Sequence, residues 1–361
     1  MNKISIHIVT WNSLKFLPDC LASIYQQTEK NFSVTIIDNA STDKTVEFVN
    51  EHYSDVKIIR NNKNLGFAAA HNRAIKIAAL DKKTFLSRYI LVLNPDIILS
   101  SDFLKKTLNL IKKDESMAAV AGKSFKIYTS DSDLNEKIKT EIIDSTGLKI
   151  FKSGRVVDRG ENQKDKGQYD KTEEVFGLSG SCVLYRLSAL EDIKIPLNNS
   201  QFVDYSDEIR RLGSHYEYFD EDFFAYKEDA DISYRLRWRG WKMVYLPEAT
   251  IYHYRQVFGG QPKIGETIKR RQKRSPIVRY LSYRNHFFLL TKNLSWSNYF
   301  SHFPWILFYE LKKFVYILFF EPKTLKGLFK FYTKLPRMFK KRKWIMKNKK
   351  INSKEMRKWF S

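Results

Sequence analysis

Cysteine is scarce in this chain, which contains only Cys20 and Cys182 among its 361 residues. Two cysteines so far apart form neither a disulfide framework nor a metal-ligand motif, and their scarcity fits a reducing cytoplasm. The N-terminal residues MNKISIHIVTWNS contain no charged segment followed by a long apolar stretch. We therefore expect no signal peptide.

Two phosphate-binding motifs are also missing. The sequence contains no GxxxxGK[ST] segment, and the turn TWNSLK after the first predicted strand has no GxGxxG pattern. Without these glycine-rich loops, the P-loop and dinucleotide-binding classes lose their main sequence support.

A long uninterrupted apolar segment is absent as well. The most apolar stretch, FPWILFYELKKFVYILFF at residues 303–320, is interrupted by Glu310, Lys312 and Lys313. A membrane-spanning helix requires about 20 mainly apolar residues, so we expect an amphipathic helix that lies in the membrane interface. The following segment, KTLKGLFKFYTKLPRMFKKRKWIMKNKK at residues 323–350, mixes lysines with aromatic residues as membrane-surface segments do, and a solvated basic helix that packs on the body through its aromatic side chains is the alternative for it.

Acidic residues are nearly missing from one end of the chain. Residues 269–361 contain 25 Lys and Arg against 3 Asp and Glu, whereas residues 1–268 contain 38 against 37. The formal net charge of +23 therefore belongs almost wholly to the C-terminal part. A basic and aromatic segment favours an anionic membrane surface. The charge also leaves open a nucleic-acid-binding protein, although no recognised binding module is visible.

Strands and helices alternate over about the first 110 residues. Apolar patterns predict strands at 4–9, 33–38, 56–59 and 89–94, with helices around 14–24, 71–79 and 102–113. This alternation indicates an α/β fold with a mostly parallel central sheet. Ligands of such sheets bind beyond the C-terminal ends of the strands, where we expect Thr10, Asp38 and Asp96 to lie on one edge.

Acidic side chains follow two of these strands. Asp38 ends the second strand, where nucleotide-binding folds often have a carboxylate, although Asp38-Asn39 also fits an Asx turn. Asn94-Pro95-Asp96 follows the apolar run YILVL. This segment fits an ordinary turn, and it also fits a divalent cation held by one carboxylate and the phosphates of a nucleotide.

Glu228 and Asp229 precede a helical segment that is predicted to end at Gly240. Carboxylates in this position commonly cap a helix, and the helix dipole also keeps one of them ionised, as a general base requires. His253 lies at the end of a later strand, where a lone histidine is most often structural. A functional role for His253 requires that this strand end faces Asp96.

Six segments, in order, resemble the inverting glycosyltransferases of family 2, which have the GT-A fold. They are IHIVTWNSLKFLPDCLASIYQQ, VTIIDNASTDKT, NNKNLGFAAAHNRAI, YILVLNPDI, GLSGSCVLYR and FDEDFFAYKEDADISYRLRWRGW. The resemblance covers about residues 4–290. The segments DSTGLKIFKSGRVVDRGE, GQYD and YRNHFFLL are similar to the bacterial rhamnosyltransferase-like branch, which builds surface polysaccharides such as lipopolysaccharide.

The resemblance implies roles in binding a nucleotide-diphospho-sugar, with UDP or dTDP as the nucleotide. The residues expected to contact this donor are Thr10, Asn12, Asp38, Asn64, Gly66, Asn72, Asn94 and Asp96. Asp96 matches the last acid of the family's DxD motif, and His253 matches a histidine that completes binding of a divalent metal, Mn²⁺ or Mg²⁺. Asn94 replaces the first acid of that motif, which removes one carboxylate from the expected metal site.

The resemblance also implies the catalytic base. Asp229 matches the second acid of the family's ED motif, with Glu228 beside it. Such a base removes a proton from the acceptor hydroxyl while its oxygen attacks the anomeric carbon, which inverts that carbon in one step. The residues expected to contact the acceptor are Gly180, Ser181, Tyr226 and Trp241, with core packing as the alternative for the tryptophan.

The resemblance finally implies an organisation of the whole chain. Residues 1–268 are expected to form the GT-A catalytic domain, and residues 269–361 a basic, aromatic, helical extension that associates with a membrane. The expected acceptor is a glycan on a polyprenyl diphosphate at the cytoplasmic face of the inner membrane, rhamnose is one candidate sugar, and no nucleic-acid partner is expected. A sugar nucleotidyltransferase of related fold is the alternative, but TWNSLK lacks the glycine-rich basic loop of those enzymes.

Overall fold

The structure is a computed structural model that describes residues 4–80, 88–129, 137–196, 216–254 and 275–361. The expected domain boundary after residue 268 lies outside the described residues. The first elements alternate as predicted: β1 Ile4–Thr10, α1 Leu17–Tyr25, β2 Phe32–Asp38, α2 Thr45–His52, β3 Lys57–Arg60, α3 Gly66–Leu80, β4 Tyr89–Leu93, β5 Ile97–Leu99 and α4 Phe103–Lys112.

Hairpins and short strands form the middle of the chain, and helices form its C-terminal part. The middle elements are β6 Met117–Thr129, β7 Lys137–Ser145, β8 Leu148–Ile150, β9 Val156–Asp158, β10 Glu173–Glu174, β11 Cys182–Arg186, α5 Leu187–Ile193, β12 Ile195–Pro196, β13 Tyr216–Glu217, a 3₁₀ helix Glu221–Phe223, α6 Glu228–Trp238 and β14 Lys242–Tyr254. The later elements are α7 Pro276–Asn293, α8 Trp296–Phe320, a 3₁₀ helix Pro322–Leu325, α9 Lys326–Lys347 and α10 Ser353–Arg357.

Among the described strands, ten form one sheet in the order β10-β14-β6-β11-β4-β1-β2-β3, with β5 paired to β14 and β7 to β6. β3, β2, β1 and β4 run parallel, and β11 inserts antiparallel between β4 and β6. β4, with the sequence YILVL, is buried throughout, as a central strand covered on both faces must be. The predicted α/β fold with a mostly parallel central sheet is confirmed.

Helices cover both faces of the sheet. On one face, α1 and α4 bury the apolar side chains whose spacing in the sequence predicted these helices, among them Leu21 and Phe103. On the other face, α3, α5 and α6 bury a second set, among them Ile75, Leu190 and Ile232. Because helices cover both faces, a ligand of this sheet is expected at the edge formed by the strand ends.

The C-terminal helices share a third core with the elements around α6. Its fully or nearly buried members from the body and from the C-terminal part include Phe176, Tyr234, Trp238, Phe288, Met338 and Ile345. The basic extension therefore packs on the body through aromatic and aliphatic side chains, which is the alternative that the sequence left open. The contact makes α7 and α9 neighbours of the helix that begins with the predicted base.

Helix α8 also has a large exposed apolar surface. Its exposed large side chains are Trp296, Phe300, Phe303, Trp305, Leu307, Phe308, Leu311, Phe314, Val315, Leu318, Phe319 and Phe320. Within the described ranges, no helix is both long enough and apolar enough to cross a membrane.

Candidate active site

The C-terminal ends of β1 and β2 bring Thr10 and Asp38 together. The two residues lie opposite each other in the strand register, and Thr10 Oγ1 donates a hydrogen bond of 3.0 Å to Asp38 Oδ1. The backbone N–H of Ser41 donates to Asp38 Oδ2 at 3.0 Å. Asp38 is fully buried and organises the turn after β2, so the Asx-turn interpretation describes its contacts with the chain.

The turn after β1 presents an amide and an aromatic ring at the same edge. Asn12 has a left-handed backbone with φ of 52°, and its Oδ1 accepts a hydrogen bond of 2.7 Å from the Thr42 N–H. Its neighbour Trp11 is 58% exposed. An exposed ring of this kind offers a surface on which a planar base can stack.

The N-terminal end of α3 contacts the loop that precedes α6. Asn64 Oδ1 accepts a hydrogen bond of 2.9 Å from the Gly66 N–H. Gly66 has φ of +79°, and a Cβ atom at this position would lie 2.5 Å from the carbonyl oxygen of Phe224. Only glycine allows both the backbone conformation and this close approach. The segment expected to follow the nucleotide and the loop before Asp229 are therefore in direct contact.

Asn72, which the resemblance assigns to the donor, contacts the segment before α6. Its side chain is fully buried, and Nδ2 donates to the Phe219 carbonyl oxygen at 2.7 Å and to Glu221 Oε1 at 2.9 Å. Its Oδ1 accepts from the N–H groups of Tyr218 and Phe219 at 3.1 and 2.8 Å. These four bonds use the full capacity of the amide, so Asn72 fixes the segment before α6 and has no group left for the nucleotide.

Asp96, His253 and Asp144 form a row at the ends of β4, β14 and β7. His253 lies opposite Ile97 in the ladder of β14 and β5, which places it beside Asp96. His253 Nε2 lies 3.2 Å from Asp96 Oδ2, and its Nδ1 lies 2.8 Å from Asp144 Oδ2. The imidazole is only 2% exposed. The strand end that carries His253 therefore does face Asp96.

The outer end of this row fits a divalent cation. A histidine that donates its Nδ1 proton to a carboxylate presents the Nε2 lone pair to its other neighbour, as metal-binding histidines commonly do. That lone pair and the Asp96 carboxylate are both acceptors, so they face each other favourably only across a cation or a proton. Among the described residues, no group of three or more His, Cys, Asp or Glu side chains is arranged to hold a metal ion, so further ligands must come from the substrate.

Backbone hydrogen bonds connect this row to Asp229. The Asn94 N–H donates to the Ser181 carbonyl oxygen at 2.8 Å. The N–H of the adjacent Gly180 donates to Asp229 Oδ2 at 3.3 Å, and a Cβ atom on this glycine would lie 3.3 Å from the Asp229 Cβ. The turn after β4, the turn before β11 and the N-terminus of α6 thus form one continuous wall.

Glu228 and Asp229 begin α6 in different surroundings. Burial and then repulsion from Asp229 raise the pKa of Glu228 to about 8, and its Oε2 has no hydrogen-bond partner within the described ranges. Burial also raises the pKa of Asp229, but the Ala230 and Gly180 N–H groups stabilise its carboxylate. Near neutral pH a proton therefore resides mainly on Glu228, while the two N–H groups favour the charged form of Asp229.

The loop before Asp229 has a strained backbone. Phe224, Tyr226 and Lys227 have φ values of 64°, 70° and 70°, a region that costs residues with a Cβ about 1–2 kcal/mol each. Nδ2 of Asn285 in α7 lies 2.9, 2.9 and 2.8 Å from the carbonyl oxygens of Phe223, Ala225 and Tyr226, which share its two N–H donors. Helix α7 therefore holds this loop in its unfavourable conformation.

A family model described as "Glycosyl transferase family 2" matches residues 5–194, which is more than half of the chain. The chain belongs to glycosyl transferase family 2. The family predicted from the six segments is confirmed, and the protein is a glycosyltransferase.

One curated relative of this family 2 glycosyltransferase is the N-acetylglucosaminyl-diphospho-decaprenol L-rhamnosyltransferase of Mycobacterium tuberculosis. The two proteins are 26% identical over 256 residues, which cover 68% of this chain and 74% of the relative. Among solved structures, S. aureus TarS 1-349 matches with a TM-score of 0.52 and 15% identity over 94% of this chain and 83% of TarS. GalNAc-T7 with UDP, GalNAc and Mn²⁺ matches with a TM-score of 0.54 and 15% identity over 82% of this chain and 49% of GalNAc-T7. At these identities the two structures support the GT-A fold alone.

The expected acceptor residues of this family 2 glycosyltransferase lie in two places. Gly180 and Ser181 lie beside Asp229, and Tyr226, in the loop before it, is 44% exposed. Trp241 follows the far end of α6, about 14 Å along the helix axis from Asp229. Its Nε1 donates to Asp192 Oδ2 at 2.8 Å. Trp241 therefore packs at the far end of α6, which is the alternative that the sequence left open for this residue.

Sequence reasoning did not single out Asp144, Asp158 or Asn285. Burial, then repulsion from Asp144 and Asp229, raises the pKa of Asp158 to about 7, which places this carboxyl group near the candidate base. Its Oδ1 is buried and has no hydrogen-bond partner in the described part of the chain. These three residues lie in the segments DSTGLKIFKSGRVVDRGE and YRNHFFLL, which resemble the rhamnosyltransferase-like branch. The resemblance was a signal that the segments matter, but it assigned no role to their polar residues.

Proposed function

We propose that this glycosyltransferase transfers a sugar from a nucleotide-diphospho-sugar to a hydroxyl group of a growing, lipid-linked bacterial glycan, with inversion of the anomeric carbon. The observation that carries the proposal is the continuous wall that runs from His253 and Asp96 through Gly180 to Asp229. Along this wall, a place for a leaving diphosphate and a base for the attacking hydroxyl lie side by side.

The donor nucleotide is proposed to bind at the edge formed by β1, β2 and the start of α3. Asp38 and Thr10 would contact the base, which is supported by their position at adjacent strand ends. Asn12, Asn64 and Gly66 would lie along the nucleotide, with the exposed ring of Trp11 as an additional stacking surface. UDP and dTDP are the candidate carriers.

Asp96 and His253 would hold a divalent metal, Mn²⁺ or Mg²⁺, together with phosphate oxygens of the donor. When bound, such a cation neutralises the charge that grows on the leaving diphosphate. Asp144 would fix the tautomer of His253 through the hydrogen bond to Nδ1. Asn94 would act through its backbone, whose N–H orders the turn that carries Asp96.

Asp229 would serve as the general base. Its two oxygens accept hydrogen bonds from the Ala230 and Gly180 N–H groups, which orient the carboxylate and keep it charged. The acceptor oxygen loses its proton to Asp229 while it forms the new bond to the anomeric carbon, and the electrons of the broken carbon–oxygen bond leave with the nucleotide diphosphate. Glu228, which is protonated near neutral pH, supplies no base.

The proposed acceptor and the proposed membrane attachment are supported by the mycobacterial relative and by the C-terminal helices. The name of the mycobacterial relative describes rhamnosyl transfer to a sugar on a decaprenyl diphosphate, which makes rhamnose and a polyprenyl-diphosphate-linked glycan the first candidates. Residues 1–268 would form the catalytic domain, and residues 269–361 an extension that attaches to the membrane through the exposed side of α8. This attachment would place the enzyme peripherally at the cytoplasmic face of the inner membrane.

The test is a transfer assay with the wild-type chain, a panel of UDP- and dTDP-sugars that includes dTDP-rhamnose, and an N-acetylglucosaminyl-diphospho-isoprenoid acceptor. Asp229→Asn should lower kcat about 10²–10⁴-fold, because the general base is lost. Addition of EDTA should stop transfer, and Mn²⁺ or Mg²⁺ should restore it.

Glu228→Gln is the matched control for the loss of the base. Glutamine imitates the protonated form of Glu228, so kcat should fall less than about tenfold. The proposal is wrong if the two variants lose activity equally, or if folded wild-type protein transfers no sugar from any donor of the panel.

A further inference from the structure

A cavity of about 590 Å³ lies between the turn of the β8–β9 hairpin and helix α8. The hairpin turn contributes Phe151, Lys152 and Arg155, and α8 contributes Trp305, Phe308 and Lys312. None of these residues belongs to the wall that carries Asp96 and Asp229, so the cavity is a second place at which a ligand can be held.

The cavity combines positive charge with aromatic surface. In the described part of the chain, none of its three cations, Lys152, Arg155 and Lys312, forms an ion pair. Lys152 Nζ lies 5.1 Å from the centre of the Trp305 ring, so this charge is held over an aromatic face. Three unpaired cations around an aromatic cavity fit a ligand with an anionic head and an apolar body.

The surroundings of the cavity continue this pattern. Trp305 and Phe308 belong to the exposed apolar surface of α8, and they are 49% and 70% exposed. A ligand whose head occupies the cavity therefore has its apolar body directed along a surface that a membrane interface would cover. A soluble phosphate compound would leave this apolar surface in water, so the arrangement favours a lipid.

The hairpin is fixed in place on both sides. The Lys152 N–H donates to the Ser361 carbonyl oxygen and the Ser361 N–H donates to the Ile150 carbonyl oxygen, both at 3.1 Å. At the base of the hairpin, the Leu148 N–H donates to the Gly177 carbonyl oxygen at 2.7 Å. The hairpin that lines the cavity is therefore bonded to the turn before β11, which contacts Asp229 through Gly180.

The same hairpin reaches from the cavity toward the proposed base. Asp158 lies opposite Leu148 at the hairpin base, and its carboxyl group interacts electrostatically with Asp229. From Asp158 to Arg155 the strand rises about 10 Å, which is the length of roughly one to two sugar units. An acceptor whose lipid head lies in the cavity could thus present its sugar hydroxyl near Asp229.

We propose that this cavity binds the diphosphate of an isoprenoid lipid that carries the acceptor glycan. The inference rests on the proposed function for the identity of the acceptor, but the cavity makes a separate prediction about binding. Lys152, Arg155 and Lys312 contact the diphosphate, and the α8 surface contacts the isoprenoid chain.

The test measures partition of the full chain into phosphatidylcholine vesicles that contain a small fraction of an isoprenoid diphosphate. Matched vesicles contain the isoprenoid alcohol or phosphatidylglycerol instead. The variant Lys152→Gln, Arg155→Gln, Lys312→Gln should bind the diphosphate vesicles about tenfold more weakly or worse, because charge-assisted bonds to phosphate are lost. The control variant Lys57→Gln, Lys105→Gln, Lys112→Gln removes three exposed charges from the N-terminal half and should bind as the wild type does.

Each outcome of the vesicle experiment either supports or overturns the proposed lipid site. Equal losses in the two triple variants, or equal binding to phosphatidylglycerol vesicles, would show general attraction to negative charge and overturn the inference. Full competition by inorganic diphosphate at the same concentration as the lipid diphosphate would show that the isoprenoid chain adds nothing to binding, and it would also overturn the inference. The cavity variant should keep the thermal unfolding midpoint of the wild type, which shows that its weaker binding is not a loss of folding. If the wild type transfers no sugar at all, the proposed function fails while the vesicle result still decides the lipid site.

Discussion

Asn285 lies in a helix that the sequence assigns to the basic extension, yet its side chain acts on the loop before the proposed base. Its amide donates to the carbonyl oxygens of Phe223, Ala225 and Tyr226. These bonds provide partners for carbonyl oxygens of a loop whose φ angles are positive at three residues with a Cβ atom. A single side chain from a distant helix therefore sets the direction from which the chain enters α6.

Asn285→Ala should lower kcat about 10–100-fold, because the loop relaxes and shifts Asp229 by a fraction of an ångström to an ångström. The loss of several buried hydrogen bonds should also lower the free energy of unfolding by about 1–3 kcal/mol. Steady-state kinetics and denaturant unfolding measure the two effects. Asn109→Ala, on the exposed side of α4, is the control and should change neither. An unchanged kcat in the Asn285→Ala protein would contradict a positioning role.

Glu228 links the active site to the pH dependence of stability. Its pKa is raised by burial and by Asp229 to about 8, so the folded state holds a proton that the unfolded state releases above about 4.5. The unfolded state thus binds fewer protons in this range, and the free energy of unfolding falls as the pH rises from about 4.5 to 8. One such group contributes a slope of about 1.4 kcal/mol per pH unit.

Glu228→Gln should remove this contribution. Relative to the wild type, the variant should gain about 1–3 kcal/mol in the free energy of unfolding between pH 5.5 and pH 7.5. Denaturant unfolding of both proteins at the two pH values measures the difference. Parallel changes in the two proteins would mean that Glu228 has the same pKa in the folded and unfolded states.

At the scale of elements, buried lysines join the C-terminal helices to the segment before α6. Lys292 of α7 pairs with Asp220 and, at 2.6 Å, with Asp231. Lys341 of α9 pairs with Glu217 and Asp220 at 2.5 Å each and with Asp222 at 2.9 Å. Burial alone would lower the pKa of Lys341, but these carboxylates outweigh burial and raise it. The network explains how α9 remains bound to an acidic segment that could not be buried by itself.

Lys341→Met should lower the free energy of unfolding by about 3–5 kcal/mol, because it removes the cation that three buried carboxylates share and leaves Glu217 with no paired cation in the described ranges. Lys343→Met, an exposed position two residues further along α9, is the control and should change stability by less than about 0.5 kcal/mol. Denaturant unfolding compares the two variants. Part of the loss should be recovered at low pH, where the carboxylates are protonated; similar stabilities of the two variants at neutral pH would contradict the role of the network.

At the scale of the whole molecule, the change in charge at about residue 269 does not separate two independently packed parts in the described ranges. Residues 269–361 carry nearly all of the net charge, yet α7 and α9 share a core with Phe176, Tyr234 and Trp238. Asn285 and the two buried lysines add polar contacts to the same region. A division into a catalytic domain and an extension therefore stays a proposal about roles, and in the described ranges the two parts form one packed body.

Local patterns predicted much of the sheet and part of the site. The strand ends at Thr10, Asp38 and Asp96 lie on one edge because parallel strands end on the same side, a rule that needs no tertiary information. Asn72 and Trp241 were expected to contact ligands, and in the structure their side chains contact other parts of the chain. Their side chains are engaged by other elements, and a sequence motif does not show which partner an amide or an indole will find.

The residues that sequence reasoning missed share one property, which is that their roles depend on contacts across long stretches of chain. Asp144 reaches His253 across 109 positions, and Asn285 reaches Tyr226 across 59. Periodicity and capping rules describe neighbours within a few residues, so they say nothing about such pairs. The protonation of Glu228 likewise follows from burial, which only the folded chain creates.

The sequence by itself determined the family, the alternation of strands and helices, the edge at which a ligand binds and the asymmetry of charge, because each of these follows from residue type and local spacing. Only the tertiary structure decided that His253 faces Asp96, that Glu228 keeps a proton near neutral pH, and that the basic helices complete the core around α6. These features depend on distance and on exclusion of water, which arise when segments distant in sequence pack against one another.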